Sequence, residues 1–240
     1  MRVTVLGNAA SYLAPGSGGS GYLLESRGKR VLLDCGGGVA DALRGRAPLD
    51  ALVISHFHHD HVLDLMRWRD AFPGGMPIVV PPGEARRFDA LAMAFAFEGP
   101  FELPGPVIEA TGRCQVAGVE LRFARTRHSA PSVATRAGGF VYASDTAPCD
   151  ELRDLARGAD TLLAHTLLPR VDPASGHAAR HMTAETAGEL ARAAGVRRLV
   201  LSHRFHESRD EDMLRAAAFP GAVLARTGES FEAPDAEGKA

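Results

Sequence analysis

Leu52-Val53-Ile54-Ser55-His56-Phe57-His58-His59-Asp60-His61 is the stretch on which the reading of this chain turns: an apolar run of strand length that delivers four imidazoles and a carboxylate. The apolar run, residues 51–54, suits a buried strand. Polar groups crowded at the end of such a strand cannot be buried without partners. Neutral imidazoles and carboxylates are the ligands that Zn²⁺ and its first-row neighbours take. In extended backbone alternate side chains share a face, so His56 and His58 can grip one ion. Asp60 and His61 lie past the bend, placed to face a second ion. A solvated polyhistidine loop is the bland alternative.

The same pattern returns once. Leu199-Val200-Leu201-Ser202-His203 is again an apolar strand ending in Ser-His, and α/β proteins place their sites at the C-terminal ends of strands. Chance likeness of two apolar strands would give the same echo.

Working outward, residues 3–6, 22–24 and 31–33 are short apolar runs that read as strands. Residues 15–21, rich in Gly and Ser, read as a flexible loop, and Gly36-Gly37-Gly38 as a close-approach turn before a short helix over 39–43. Helices are expected over 62–70, 84–97, 149–156, 183–194 and 211–218, with Gly195 as a left-handed cap. Further strands are expected over 78–80, 119–124, 140–143, 161–164 and 199–201. Strand clusters interrupted by helices make an α/β protein of several layers. No linker divides it, so residues 1–232 form one domain and 233–240 a polar, frayed tail.

Composition narrows the class. Of 240 residues, 45% are hydrophobic and 23% charged, which excludes a disordered or coiled-coil chain; 26 glycines and 15 prolines fall short of low-complexity sequence. A net charge of −2 gives no basic excess for holding a phosphate backbone. Cys35, Cys114 and Cys149 form no CxxC pair and leave an odd thiol, which suits a reducing compartment. No apolar run approaches the ~18–20 residues of a membrane span, and the N-terminus reads as a strand, not a signal peptide. A cytoplasmic protein without membrane contact is expected.

The histidine cluster resembles the signature His-x-His-x-Asp-His of the metallo-β-lactamase-fold hydrolases. That family carries, in order, a lone His, a bridging Asp and a last His after a strand. His128 in Thr126-Arg127-His128-Ser129, Asp145 in Ala143-Ser144-Asp145-Thr146 and His203 match them. The resemblance implies a four-layered αββα sandwich. It also implies that His56, His58 and His128 hold one divalent metal, and Asp60, His61 and His203 the other, with Asp145 bridging. Zn²⁺ is the default for such a set, with Mn²⁺ or Fe²⁺ as alternatives. Two ions would share a bridging hydroxide, and hydrolysis is the chemistry that follows.

Within that superfamily the chain looks most like the ribonuclease Z and cyclic-phosphodiesterase branch. Arg127-His128-Ser129-Ala130-Pro131, Ser144-Asp145-Thr146-Ala147-Pro148 and His181-Met182-Thr183 carry the likeness. By that likeness His181 is the general acid that protonates the leaving oxygen, and Asp60 and His181 are the catalytic pair; a structural role at the start of the 183–194 helix is the alternative for His181. The branch commonly has His-Glu where this chain has His165-Thr166, and a threonine cannot hold the charge with which that Glu orients the acid. His165 sits behind the ligands or simply packs in the core.

Ribonuclease Z enzymes that clamp transfer RNA carry a long arm between the lone His and the bridging Asp. His128 and Asp145 stand too close in sequence for one. A small or cyclic phosphodiester is therefore the expected substrate, and structured RNA is not. Enzymes of this branch are often dimers, so a homodimer is compatible. Arg125, Arg127 and Arg136 surround His128, and Arg136 is singled out as a phosphate contact. His59, His177 and His206 match no ligand, Trp68 reads as core, and Met93, Phe95 and Phe97 as core or an interface lip. The competing functions are hydrolysis of a lactone, thioester or β-lactam on the same metals, or metal binding without efficient catalysis.

Overall fold

Along β3 (Lys29–Leu33) the side chains of Val31 and Leu33 face one way and that of Leu32 the other, and both sides are buried. This double burial recurs in strand after strand and dictates layers on both faces of each sheet. The structure is a computed structural model that describes residues 1–10, 17–67, 74–94, 105–205 and 207–235.

The first sheet contains β1 (Arg2–Gly7), β2 (Gly21–Ser26), β3, β4 (Ala51–Val53), β5 (Ile78–Val80), β6 (Val107–Glu109) and β14 (Ser230–Glu232), in the order β14-β1-β2-β3-β4-β5-β6. The second contains β7 (Arg113–Val116), β8 (Val119–Arg125), β9 (Val133–Ala137), β10 (Phe140–Tyr142), β11 (Thr161–His165), β12 (Arg198–Ser202) and β13 (Ala222–Leu224), in the order β13-β12-β11-β10-β9-β8-β7. β3 to β6 run parallel, as do β10 to β13. The C-terminal ends of β3 and β4, and those of β10, β11 and β12, therefore each gather at a single edge of their sheet.

Val3, Tyr22, Leu33 and Val53 pack between the sheets against Leu121, Phe140, Tyr142, Leu163 and Val200. Outside the second sheet lie α4 (Asp150–Ala156), α5 (Ala184–Ala194) and α6 (Asp210–Ala217), with Leu152, Leu190 and Met213 on Val141, Leu162 and Leu199. Outside the first sheet lie α1 (Val39–Ala42), α2 (His59–Val62) and α3 (Ala85–Ala94), with Val39, Val62 and Phe88 on Leu32, Leu52 and Ile78. This is the αββα sandwich. Thr183 caps α5 by accepting from Thr186 N–H, and Gly195 closes it at φ 66°, where a side chain would be strained.

Four expectations change. The helix expected over 62–70 begins earlier, at His59, and changes to a 3₁₀ turn over Leu63–Arg67, where Asp64 N–H leaves the helical ladder for the Cys35 carbonyl at 3.1 Å. Residues 17–21 are not a loose loop: Gly18, Gly19 and Ser20 are buried, and Ser20 N–H donates to the Asp60 carbonyl. The tail does not begin at Ala233, since Ala233 exchanges hydrogen bonds with Met1 and Asp235 pairs with the N-terminal amine at 3.3 Å. Trp68, Phe95, Phe97 and His206, and the side chain of Met93, lie outside what the structure describes.

Arg136 is the fourth correction. It is 4% exposed and lies on β9 next to the Gly138–Gly139 turn, at the opposite end of the strand from Val133. Its guanidinium donates to the carbonyls of Gly138 (2.9 Å), Leu155 (2.7 Å) and Arg157 (2.8 Å). It therefore satisfies the orphan carbonyls at the end of α4 and complements that helix's dipole; it is not a substrate contact. Arg136→Met is expected to lower stability by about 1–3 kcal/mol, since three partly buried carbonyls lose the charged donor that serves them. Urea denaturation reads the loss, and kcat/KM should stay unchanged at temperatures where the variant is folded.

Candidate metal centre

Four strand ends build the site. β3 ends in Asp34, β4 leads through Ile54 and Ser55 to His56, β10 leads to Ser144 and Asp145, and β12 leads to His203. Asp34, Ser144 and His203 have φ of 60°, 56° and 55°, a left-handed backbone that non-glycine residues adopt at a cost. Such outliers persist where the surroundings over-determine them.

Hydrogen bonds fix where the imidazole protons are. Asp34 accepts from Ser55 N–H (2.6 Å), Ser55 Oγ (2.6 Å), His61 Nδ1 (2.7 Å) and the Tyr142 hydroxyl. The Ser55 proton is therefore directed to Asp34, and Ser55 Oγ can only accept from His56 Nδ1 at 3.1 Å. His128 Nδ1 donates to the Arg180 carbonyl at 3.1 Å. His56, His61 and His128 in their neutral forms thus carry bare lone pairs on Nε2. His58 Nδ1 lies 3.0 Å from His56 Nε2 and 3.1 Å from His128 Nε2. A single proton cannot satisfy three nitrogens converging on one point, whereas a cation can.

Asp145 joins this group to the next. Its Oδ2 lies 3.9 Å from His56 Nε2 and 3.8 Å from His61 Nε2, and its Oδ1 lies 3.4 Å from His203 Nε2. Asp60 Oδ2 is 3.5 Å from His203 Nε2, and His203 Nδ1 is held by Ser20 Oγ at 2.9 Å. Two sets of ligand atoms result, each within 4.8 Å: His56, His58, His128 and Asp145, then His61, Asp145, His165 and His203. Six of the seven residues expected to hold metal fall in these two sets; Asp60 is in neither, although its Oδ2 lies 3.5 Å from His203 Nε2, and His165 takes a place in the second.

The electrostatics suit a cation. Burial pulls His56 and His203 well below the usual imidazole range and lowers His58, which keeps their lone pairs free. Burial also acts downward on His61, but the Asp34 charge and hydrogen bond win and raise it to about 9, so a cation taking His61 Nε2 as a ligand would have to displace a proton there. Burial would raise the Asp145 carboxyl, yet the hydrogen bond from His165 Nδ1 at 2.8 Å and the charge on His61 hold it well below the carboxylate range.

His181 Nδ1 lies 3.7 Å from Asp145 Oδ2, and its ring stands edge-on to His128 with centroids 4.9 Å apart. Burial lowers it to about 4. Thr166, at the position of the branch's Glu, directs its hydroxyl to the Ser202 carbonyl at 3.4 Å. His177 instead stacks on His181, with centroids 4.9 Å apart. His59 is exposed, as are Arg125 and Arg127.

Sequence reading missed Asp34, Ser20 and Tyr22. The first had a signal, an acid directly after an apolar strand and before three glycines; the others had none.

Residues 29–204 match the family described as Beta-lactamase superfamily domain. The chain is 33% identical over 239 residues to a ribonuclease Z of Mycobacterium sp. (strain KMS), covering 85% of this chain and 84% of that protein. The solved metallo-β-lactamase fold protein YhfI from Bacillus subtilis superposes with a TM-score of 0.82 at 27% identity, over 96% of this chain and 99% of that one. A diphosphatase from the PhnP family superposes with a TM-score of 0.78 at 20% identity, over 96% and 97%. The chain belongs to the β-lactamase superfamily and is a metallo-β-lactamase-fold hydrolase related to ribonuclease Z. That fold implies divalent metal binding, and the histidine–aspartate cluster fits it. Among the described residues no helix is long and apolar enough to cross a membrane.

Proposed function

We propose that the protein is a dinuclear metal-dependent phosphodiesterase acting on a small or cyclic phosphodiester. His56, His58 and His128 would hold one ion and Asp60, His61 and His203 the other, with Asp145 facing both sets of ligands. Zn²⁺ is the ion such a donor set favours. A bound pair of ions supplies a water activated towards a pKa of about 7 and withdraws charge from the phosphoryl oxygens. The observation that carries the reading is His181, 3.7 Å from Asp145 and edge-on to His128. It stands where a leaving oxygen beside the metal-ligand cluster would need a proton. The chain's own part is to hold Asp145 between the two ligand sets, to orient the imidazoles through Asp34, Ser55 and Ser20, and to present the His181 proton at Nδ1.

Between His128 and Asp145 the chain forms only the β9–β10 hairpin. That supports a small substrate over transfer RNA. The free thiols of Cys35, Cys114 and Cys149 are in keeping with a cytoplasmic setting.

The test is hydrolysis of a bis-aryl phosphodiester by protein of known metal content, with and without a chelator. The expected result is about two ions per chain and turnover abolished by the chelator and restored by Zn²⁺. Fully loaded protein that leaves the diester intact but opens a lactone or thioester would replace this reading.

A further inference from the structure

His165 is completely enclosed, and both its ring nitrogens are engaged. Nδ1 lies 2.8 Å from Asp145 Oδ1, and Nε2 lies 2.9 Å from the Tyr22 hydroxyl, which is itself 2.7 Å from Ser202 Oγ. Ionised Asp145 can only accept, so Nδ1 carries the imidazole proton. With the ring neutral, Nε2 is bare and accepts from Tyr22 O–H, and the Tyr22 oxygen accepts in turn from Ser202. The chain of donors runs Ser202, Tyr22, His165, Asp145. Tyr22 belongs to β2 in the first sheet, while His165 ends β11 and Ser202 ends β12 in the second. The His165 ring also lies flat on that of His203, with centroids 4.3 Å apart and planes within 6°.

We propose that His165 is a positioning residue of the metal centre and not a ligand, despite lying within ligand distance of His61, Asp145 and His203. Its nitrogen nearest the cluster holds a proton, so it has no lone pair to offer there. By engaging Asp145 Oδ1 it fixes the rotation of the carboxylate and leaves Oδ2 facing His56 and His61. Tyr22 anchors this rotation to the opposite sheet, and the flat stack holds the His203 ring against turning. Partners of this kind, placed behind metal ligands, commonly govern affinity by about 10–100-fold. The inference rests on the metal-binding reading above but not on the choice of substrate.

The experiment is a Zn²⁺ titration of metal-free full-length protein, with metal content and thermal midpoint measured on each variant. His165→Gln keeps an amide within reach of Tyr22 and loses the donor to Asp145; His165→Asn keeps that donor and loses Tyr22; Tyr22→Phe removes the anchoring hydroxyl at constant volume. His165→Gln is expected to weaken binding about 10–100-fold, with Tyr22→Phe between it and the wild type and His165→Asn restoring most of the loss. Loss of a whole equivalent in both His165 variants, with Tyr22→Phe unaffected, would make His165 a ligand and overturn the proposal. Affinity that simply follows the thermal midpoint in all three would make the role structural and overturn it too. If the wild type binds one ion only, the two-ion reading fails, yet the ranking of the variants still decides the role of His165, because Asp145 faces both ligand sets.

Discussion

Gly36→Ala is expected to cost about 100-fold or more in kcat/KM and to leave the purified protein short of metal, although Gly36 offers no ligand and touches no substrate. A Cβ at Gly36 would stand 2.1 Å from the Asp60 carbonyl oxygen and 2.7 Å from the Gly19 carbonyl carbon. The neighbours that would have to yield are backbone. Ser20 N–H already donates to the Asp60 carbonyl at 2.9 Å, and Cys35 N–H to the His61 carbonyl at 2.7 Å. Ser20 and Cys35 thus hold two successive peptides of the Asp60–Val62 segment, and a methyl group can enter only by moving it. Overpacking of this kind costs about 1–3 kcal/mol in stability, which a fold of this size can absorb. A displacement of ~1 Å in the groups that hold a reacting centre costs about 100-fold in rate. Metal content per chain and kcat/KM check this, with Gly74→Ala as the control, where a Cβ meets nothing within 4 Å. Full metal content and full rate in Gly36→Ala would show that the Asp60–His61 segment is free to relax.

What the sequence announces is what repeats locally. The cluster from His56 to His61, the strand ahead of it and the Ser-His ending of β12 are legible because each is contiguous and bounded by residues of opposite character. The echo between β4 and β12 joins one strand from each sheet, and both serines are in use: Ser55 bonds to Asp34, and Ser202 to Tyr22. Strands β13 and β14 are three residues long and only partly buried, so no periodicity marks them. Arg136 misled for the same reason: near His128 in sequence, it lies at the far end of a hairpin, and only tertiary structure shows which carbonyls its guanidinium meets. Tyr22 is read as one more apolar strand residue, and nothing local shows that its hydroxyl crosses to the other sheet.

His181→Ala is expected to lower turnover of a diester with an alkyl leaving group by about 10²–10⁴-fold while changing a bis-aryl diester only about threefold. An alkoxide is too basic to leave unprotonated, whereas a nitrophenolate needs no proton, so the loss of a general acid separates the two substrates. Burial holds the free His181 imidazole at about 4, so its acid form is scarce before substrate arrives. An anionic phosphate seated beside Nδ1 would oppose that shift, because an opposite charge within about 4–6 Å favours the protonated ring. The proton-donating form is thus drawn out by the substrate on which it acts. Removing the ring also strips an edge contact from His128 and a stack from His177, so metal content must be measured on the same preparation. His181→Asn, which keeps a polar group at the position but cannot donate a proton to an alkoxide, should show the same split. Equal losses on alkyl and aryl diesters in both variants, at unchanged metal content, would remove His181 from proton transfer and leave it a wall of the site. Without a need for leaving-group protonation, ring-opening of a lactone or thioester would then fit the remaining residues better than phosphodiester cleavage.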